Sequence, residues 1–305
     1  MNDFEMIRKL ERPRSKVRMV LDTDAYNEID DQFSISYALL SPDRVELEAL
    51  YAAPFYNSKS TGPENGMERS YDEILKLLKL ANREDLASAT FRGSRRYLPD
   101  EKTPVESPAV EDLIARARKT PLGSPLYVVA LGAITNVASA LIKAPDIAER
   151  IVIVWLGGHA WHWPDTKEFN MTQDIAAARV VFQSGAPLVQ LPCAGVVDHC
   201  TVTRPELEYW LADKNPLADY LARNTIAEAE SYAAGKPWSR VIWDITATAW
   251  LIDWEERILQ DRIDHRPLPE YDDHYGFDSR RPLMKYVWNI NRDALFADLF
   301  ARLTK

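Results

Sequence analysis

Apolar residues along this chain fall into two periodicities. Short apolar runs at 17–21, Val45–Ala52, Leu126–Ala130, Ile151–Leu156 and Leu188–Leu191 are rich in Val, Ile and Leu. They are too short for helices and read as strands buried on both faces of a parallel sheet. Between them Ile29, Phe33, Tyr37 and Leu40 recur every three or four positions, as do Ile74, Leu77 and Leu78, and Val137, Ala138, Leu141 and Ile142. That is the spacing of helices with one apolar face. Strand alternating with helix predicts an α/β fold: an open, mostly parallel central sheet with helices on both faces, joined by right-handed crossovers. Pro and Gly gather at 54–66, 99–108, 157–164 and 267–282, marking the loops that carry ligands. Beyond Pro205 the pattern turns helical, with helices expected over 217–234 and 242–252 and no second strand-rich core.

Length narrows this to one α/β domain over 17–305, since parallel sheets often use about that length as a single unit. Residues 1–16 scatter Asp3, Glu5, Arg8, Lys9 and Glu11 where a secretory signal needs an apolar stretch, so they are expected to form a loosely held leader. With 37 basic against 46 acidic side chains the net charge is −9. That balance argues against a nucleic-acid partner, which needs a dense cationic face, and for a small ligand. No run of about eighteen apolar residues occurs to span a membrane. Cys193 and Cys200 are separated by six residues, without zinc or redox spacing, and read as reduced thiols in a cytoplasmic protein.

The chemistry concentrates at the end of the first strand. Asp22, Asp24, Glu28, Asp30 and Asp31 put five carboxylates into ten residues between that strand and the first helix. In an open α/β sheet ligands bind at this place. Asp30 and Asp31 begin the helix, where N–H groups favour anions, and could be mere caps. So many like charges together call for a cation, and oxygen donors without imidazole or thiolate select calcium or magnesium over zinc. A phosphatase with an Asp-x-Asp nucleophile is a rival reading, but the residues after Asp24, Ala25-Tyr26-Asn27, suit it poorly.

Four segments together resemble the inosine–uridine-type nucleoside hydrolase family. They are Asp22-Thr23-Asp24 with Ile29-Asp30-Asp31, which carries two extra residues; Ala130 to Ala138; Glu168-Phe169-Asn170 with the helix-forming stretch after it; and Trp243-Asp244. The resemblance spans about Val17 to Phe300. It implies a calcium ion held by Asp24, Asp31, Asp244 and the main-chain carbonyl of Leu131, with a water and sugar hydroxyls completing its shell. It further implies that Asp24 is both ligand and general base, that the metal-held water attacks the anomeric carbon of a ribonucleoside, and that Asp30, Glu168 and Asn170 hold the ribose. Asp22 would brace the loop, and the assembly would be a homo-oligomer. A non-catalytic sensor or scaffold binding metal and ribose is the alternative.

Two departures concern the leaving base. Trp243 stands where the family often has a histidine able to protonate a departing purine, and the 92–97 connection lacks the family's His-Gly motif. The loop Gly157 to Pro164 offers a substitute: His159 or His162 as the acid, Trp161 and Trp163 for stacking. On an extended backbone Glu168 and Asn170, two apart, would face one ligand.

Overall fold

The computed structural model describes residues 1–305. The strands are β1 (Val17–Thr23), β2 (Val45–Ala52), β3 (Thr90–Arg92), β4 (Leu126–Ala130), β5 (Ile151–Leu156), β6 (Leu188–Leu191), β7 (Leu259–His265) and β8 (Leu283–Ile290), of which β1, β2, β4, β5 and β6 are the expected ones. They make one sheet in the order β3-β2-β1-β4-β5-β6-β8-β7, parallel throughout except for the edge strand β7, antiparallel to β8. Successive residues point to opposite faces. Met19 and Leu21 enter one hydrophobic core and Val20 the other; Val152 and Val154 oppose Ile151 and Ile153 in the same way.

Helices α1 (Asp3–Lys9), α2 (Asp30–Leu39), α3 (Pro63–Leu80), α4 (Pro108–Lys119), α5 (Thr135–Lys143), α6 (Phe169–Gln173), α7 (Ile175–Gln183), α8 (Arg204–Trp210), α9 (Pro216–Ala233), α10 (Ile245–Ile252) and α11 (Arg292–Leu303) cover the sheet. Helices α2, α3, α9, α10 and α11 share the first core, and α4, α5 and α7 the second, so both faces are covered. All ten residues of α2 are buried, because it is packed between the sheet and other helices.

Two expectations give way. Strands β7 and β8 lie in the region read as helical: Gln260, Asp261, Arg262 and Asp264 hide a strand that sits at the sheet edge with one side in water. The N-terminal residues are not loosely held. Asn2 and Glu5 form a capping box on α1, Met6 and Leu10 are buried in the first core, and the Arg12 guanidinium is buried between Asp253 and Asp261.

The strand order reverses at β1, which has β2 on one side and β4 on the other. Chains leaving the carboxyl ends of β1 and β4 diverge and open a crevice there. Hydrogen bonds extend both edges of β1 beyond the sheet, Leu131 N–H donating to Asp22 C=O at 2.8 Å and Ala53 N–H to Thr23 C=O at 2.8 Å. The backbone under the acidic run is therefore held on both sides.

Candidate active site

A cavity of about 210 Å³ opens at this crevice, lined by Asp24, Asn27, Glu28, Asp30, Asp31, Leu131, His159, Lys167, Glu168, Asn170, Cys193, Trp243 and Asp244 among others. Of the ten residues expected to form the site, all but His162 line it. The acidic run supplies one wall because β1 ends directly beneath it and α2 begins inside it. Asp244 comes from more than two hundred residues away. Helix α10 packs on α2, and the Ser34 hydroxyl donates to the Asp244 carbonyl at 3.0 Å and meets the Thr248 hydroxyl at 2.8 Å.

Asp30, Asp31 and Asp244 are buried and offer carboxylate oxygens all within 4.8 Å of one another, an arrangement able to hold a metal ion. Asp24 faces Asp31 from the strand end, is buried, and neither of its carboxylate oxygens has a hydrogen-bond partner. Two bare oxygens out of water are costly unless a cation meets them. Close approach is built in: a β-carbon on Gly132 would stand 2.8 Å from Asp24 Cγ. Burial, followed by mutual repulsion, drives the pKa of Asp24 and of Asp244 well above the carboxylate range, and Asp30 likewise through burial and Glu28. Burial also pushes Asp31 up to about 6, although the Thr23 hydroxyl donating to it pulls the other way. The one guanidinium beside the cluster, Arg240, is paired with Glu28. Oxygen-only donors, buried, crowded and without a counter-ion, fit a hard divalent cation.

Asp22 stands behind this layer. Its Oδ1 accepts from Asn136 Nδ2 at 2.7 Å, and Asn136 Oδ1 in turn accepts from the Ser94 N–H and hydroxyl, each at 2.8 Å. The Asp22 carboxyl is pushed up to about 7 by burial, against the pull of Asn136.

Glu168 and Asn170 line the cavity, yet not as an extended pair. Glu168 caps α6: Oε1 accepts from Asn170 N–H at 2.8 Å, and Oε2 accepts from Met171 N–H at 2.9 Å and Gly158 N–H at 2.8 Å. Gly158 is in the left-handed region, φ +74°, which any side chain would strain. The Asn170 amide donates to the carbonyls of Leu131 at 2.5 Å and Leu156 at 3.1 Å, clamping the ends of β4 and β5 and leaving its own oxygen for a ligand. The extended reading failed because a carboxylate one residue ahead of a helix finds its acceptors' partners locally.

The 157–164 loop divides. His159 lines the cavity, its Nδ1 accepting from Ala194 N–H at 3.2 Å, and burial lowers its pKa. His162 is exposed and belongs to a separate hollow with Trp161, Val196, Arg262, Tyr286 and Trp288. Trp161 packs at a tilt against Tyr286, ring centroids 4.1 Å apart, and donates to Gln190, and Trp163 is exposed; neither indole lines the cavity. The β7–β8 ribbon, hidden in the sequence, draws them away. Trp243 does line the cavity, half-buried, with no partner for its indole N–H.

Other residues line the cavity as well. Asn27, from the two-residue insertion, accepts at Oδ1 from Asn57 Nδ2 at 2.6 Å, whereas Tyr26 turns outward under Arg69. Cys193 sits against Glu168, and burial pushes its thiol well up. Lys167 adjoins Glu168 in sequence, and nothing local distinguishes it from the other lysines.

The family model described as inosine-uridine preferring nucleoside hydrolase matches residues 19–296. Relatives include the pyrimidine-specific ribonucleoside hydrolases RihA of Enterobacter sp. (strain 638), 27% identical across 93% of this chain and 96% of that protein, and of Klebsiella pneumoniae (strain 342), 27% identical across 93% and 97%. Among solved structures, a plant nucleoside hydrolase, PpNRh1, superposes with a TM-score of 0.76 at 21% identity, covering 96% of this chain and 99% of that one. A purine-preferring ribonucleoside hydrolase from Gardnerella vaginalis superposes at 0.73 and 21% identity, covering 94% and 98%. The family match, with relatives named ribonucleoside hydrolases, makes the chain a hydrolase acting on N-glycosyl bonds. The chain belongs to the inosine-uridine preferring nucleoside hydrolase family, whose chemistry is ribonucleoside N-glycosidic hydrolysis.

Proposed function

We propose that the protein is a calcium-dependent N-ribohydrolase that splits a ribonucleoside into ribose and free base without a covalent intermediate. The observation that carries this reading is the Asp24 carboxylate, buried, unpartnered and facing Asp31 in a cavity lined by five further carboxylates. Asp24, Asp31, Asp244 and the Leu131 carbonyl would hold the ion. When bound, calcium supplies electrophilic activation of water and coordination sites for two vicinal hydroxyls. Asp24 takes the proton of the attacking water as general base. Asp30, the Asn170 oxygen and Glu168 accept hydrogen bonds from ribose hydroxyls. The carboxylates oppose the positive charge that develops on the sugar as the C1′–N bond opens. Trp243 offers the base a flat apolar wall.

Release of reducing sugar from a panel of purine and pyrimidine ribonucleosides, with calcium and with a chelator, tests this. Turnover of at least one nucleoside with calcium, lost on chelation, is expected. Tight binding of ribose and calcium without turnover would favour the sensor alternative, and preference for magnesium with p-nitrophenyl phosphate hydrolysis the phosphatase.

The carboxyl shifts also predict a pH signature. Their folded pKa values lie above the unfolded ones, so without a cation the fold binds more protons than the unfolded chain, and its stability falls as pH rises from about 4 through 7. Calcium needs the ionised forms and stabilises by binding the folded state alone. Thermal melts at pH 5 and pH 8 should therefore show a calcium-minus-chelator gap in Tm that is small at the lower pH and wide at the higher. A gap independent of pH would count against the cluster as the binding site.

A further inference from the structure

Heterolysis of the C1′–N bond leaves an electron pair on the ring nitrogen of the departing base, and most nucleobases need a proton to leave well. The histidine that could give one is absent, position 243 being Trp. Beyond the cavity's carboxylates, which serve the cation and the sugar, the ionisable lining is His159, Lys167 and Cys193. The His159 ring already accepts from Ala194 at Nδ1. Lys167, its side chain 62% exposed, leans toward Asp273 Oδ2 at 3.6 Å. The Cys193 thiol faces Glu168. Trp243, where a histidine would be expected, presents an indole whose N–H donates a hydrogen bond but does not give up its proton.

What the cavity does supply suits a cation. Six carboxylates line it, Asp24, Glu28, Asp30, Asp31, Glu168 and Asp244, of which one, Glu28, is ion-paired with Arg240. Asp30, Asp31 and Asp244 share the cluster and Asp24 faces it, so a divalent ion leaves the wall negative. Indole is also the best aromatic partner for a positive charge placed over its face.

Building on the N-ribohydrolase reading, we propose that this site is selective for ribosides of a quaternary, positively charged ring nitrogen, of which an N-ribosylpyridinium is the simplest. The water oxygen bonds to C1′, its proton passes to Asp24 and on to solvent, and the C1′–N electron pair returns to the ring nitrogen. The heterocycle leaves as a neutral pyridine with its lone pair restored. Ribose, the free heterocycle and one proton are the products, and no acid is required.

The test uses the full chain with added calcium and compares kcat/KM for N-ribosylnicotinamide, uridine and inosine, together with 5-substituted uridines whose bases leave with progressively lower pKa. General acid catalysis contributes about 10²- to 10⁴-fold, so the pyridinium riboside should be preferred by at least about 100-fold. Rates among the uridines should climb steeply as the leaving group becomes more acidic. Trp243→His should raise inosine turnover and narrow the preference; if that variant misfolds, the wild-type series still decides. Equal or better turnover of uridine or inosine, or a flat leaving-group response, overturns the selectivity while leaving the N-ribohydrolase reading intact. No turnover of any riboside defeats both.

Discussion

Asp24→Asn is expected to keep the fold and lose about a thousandfold in kcat on whichever ribonucleoside the panel identifies. The loss is large because the substitution removes the base, which alone contributes about 10²- to 10⁴-fold, and weakens the cation site. Saturating calcium should restore binding but not rate, since an amide cannot take the proton from water. The fold survives because neither carboxylate oxygen of Asp24 bonds to the protein, so no internal partner is orphaned. In chelator the variant should even melt above the wild type, one repelling charge having left the cluster. Kinetics by reducing-sugar release and melts by circular dichroism measure the two effects separately. Wild-type turnover in the variant would sink the assignment of Asp24.

Arg12→Ala should have the largest effect on stability, a loss of about 3 kcal/mol measured by denaturant unfolding. The Arg12 side chain is 5% exposed, its Nη1 donating to Asp253 Oδ2 and its Nε to Asp261 Oδ2, both at 2.7 Å, while Nη2 donates to the Leu259 carbonyl at 2.5 Å. Truncation strips a charge partner from two carboxylates at the start of β7. Asp261 keeps Lys285 at 3.1 Å and Asp253 keeps three backbone N–H donors, which holds the loss to the lower end of the range for buried pairs. Arg12→Lys should rescue little, because an ammonium cannot reach three acceptors as the guanidinium fork does. Activity of the folded fraction should be unchanged, since Arg12 lies outside the cavity.

Most of the sheet was legible because strands buried on both faces are largely apolar; 126–130 and 151–156 are continuously so, and 17–21 is broken only by Arg18. The acidic run was legible for a different reason. Five carboxylates between a strand and a helix are local, and their repulsion needs no tertiary information to be noticed. Edge strand β7 was illegible because Gln260, Arg262 and His265 face water and Asp261 turns inward only to meet Arg12, so it carries no apolar run. Residues 1–16 misled because the apolar positions that dock them, Met6 and Leu10, are few and set among charges. Glu168 and Asn170 were found by type, but their geometry was misjudged: side-chain capping turns the segment into a helix instead of a strand.

Local chemistry, then, determined which residue types this protein brings to its ligand: hard oxygen donors, a sugar-binding carboxylate and amide, and an indole in place of an imidazole. Such chemistry is carried by side-chain identity and short spacing, which a one-dimensional string preserves. Only the tertiary structure decided which of them meet. The packing of α10 on α2 delivers Asp244 to Asp31, and the β7–β8 ribbon pulls Trp161 and His162 out of the cavity that His159 lines. Those outcomes depend on buried contacts between segments far apart in the chain, whose energies no local pattern records.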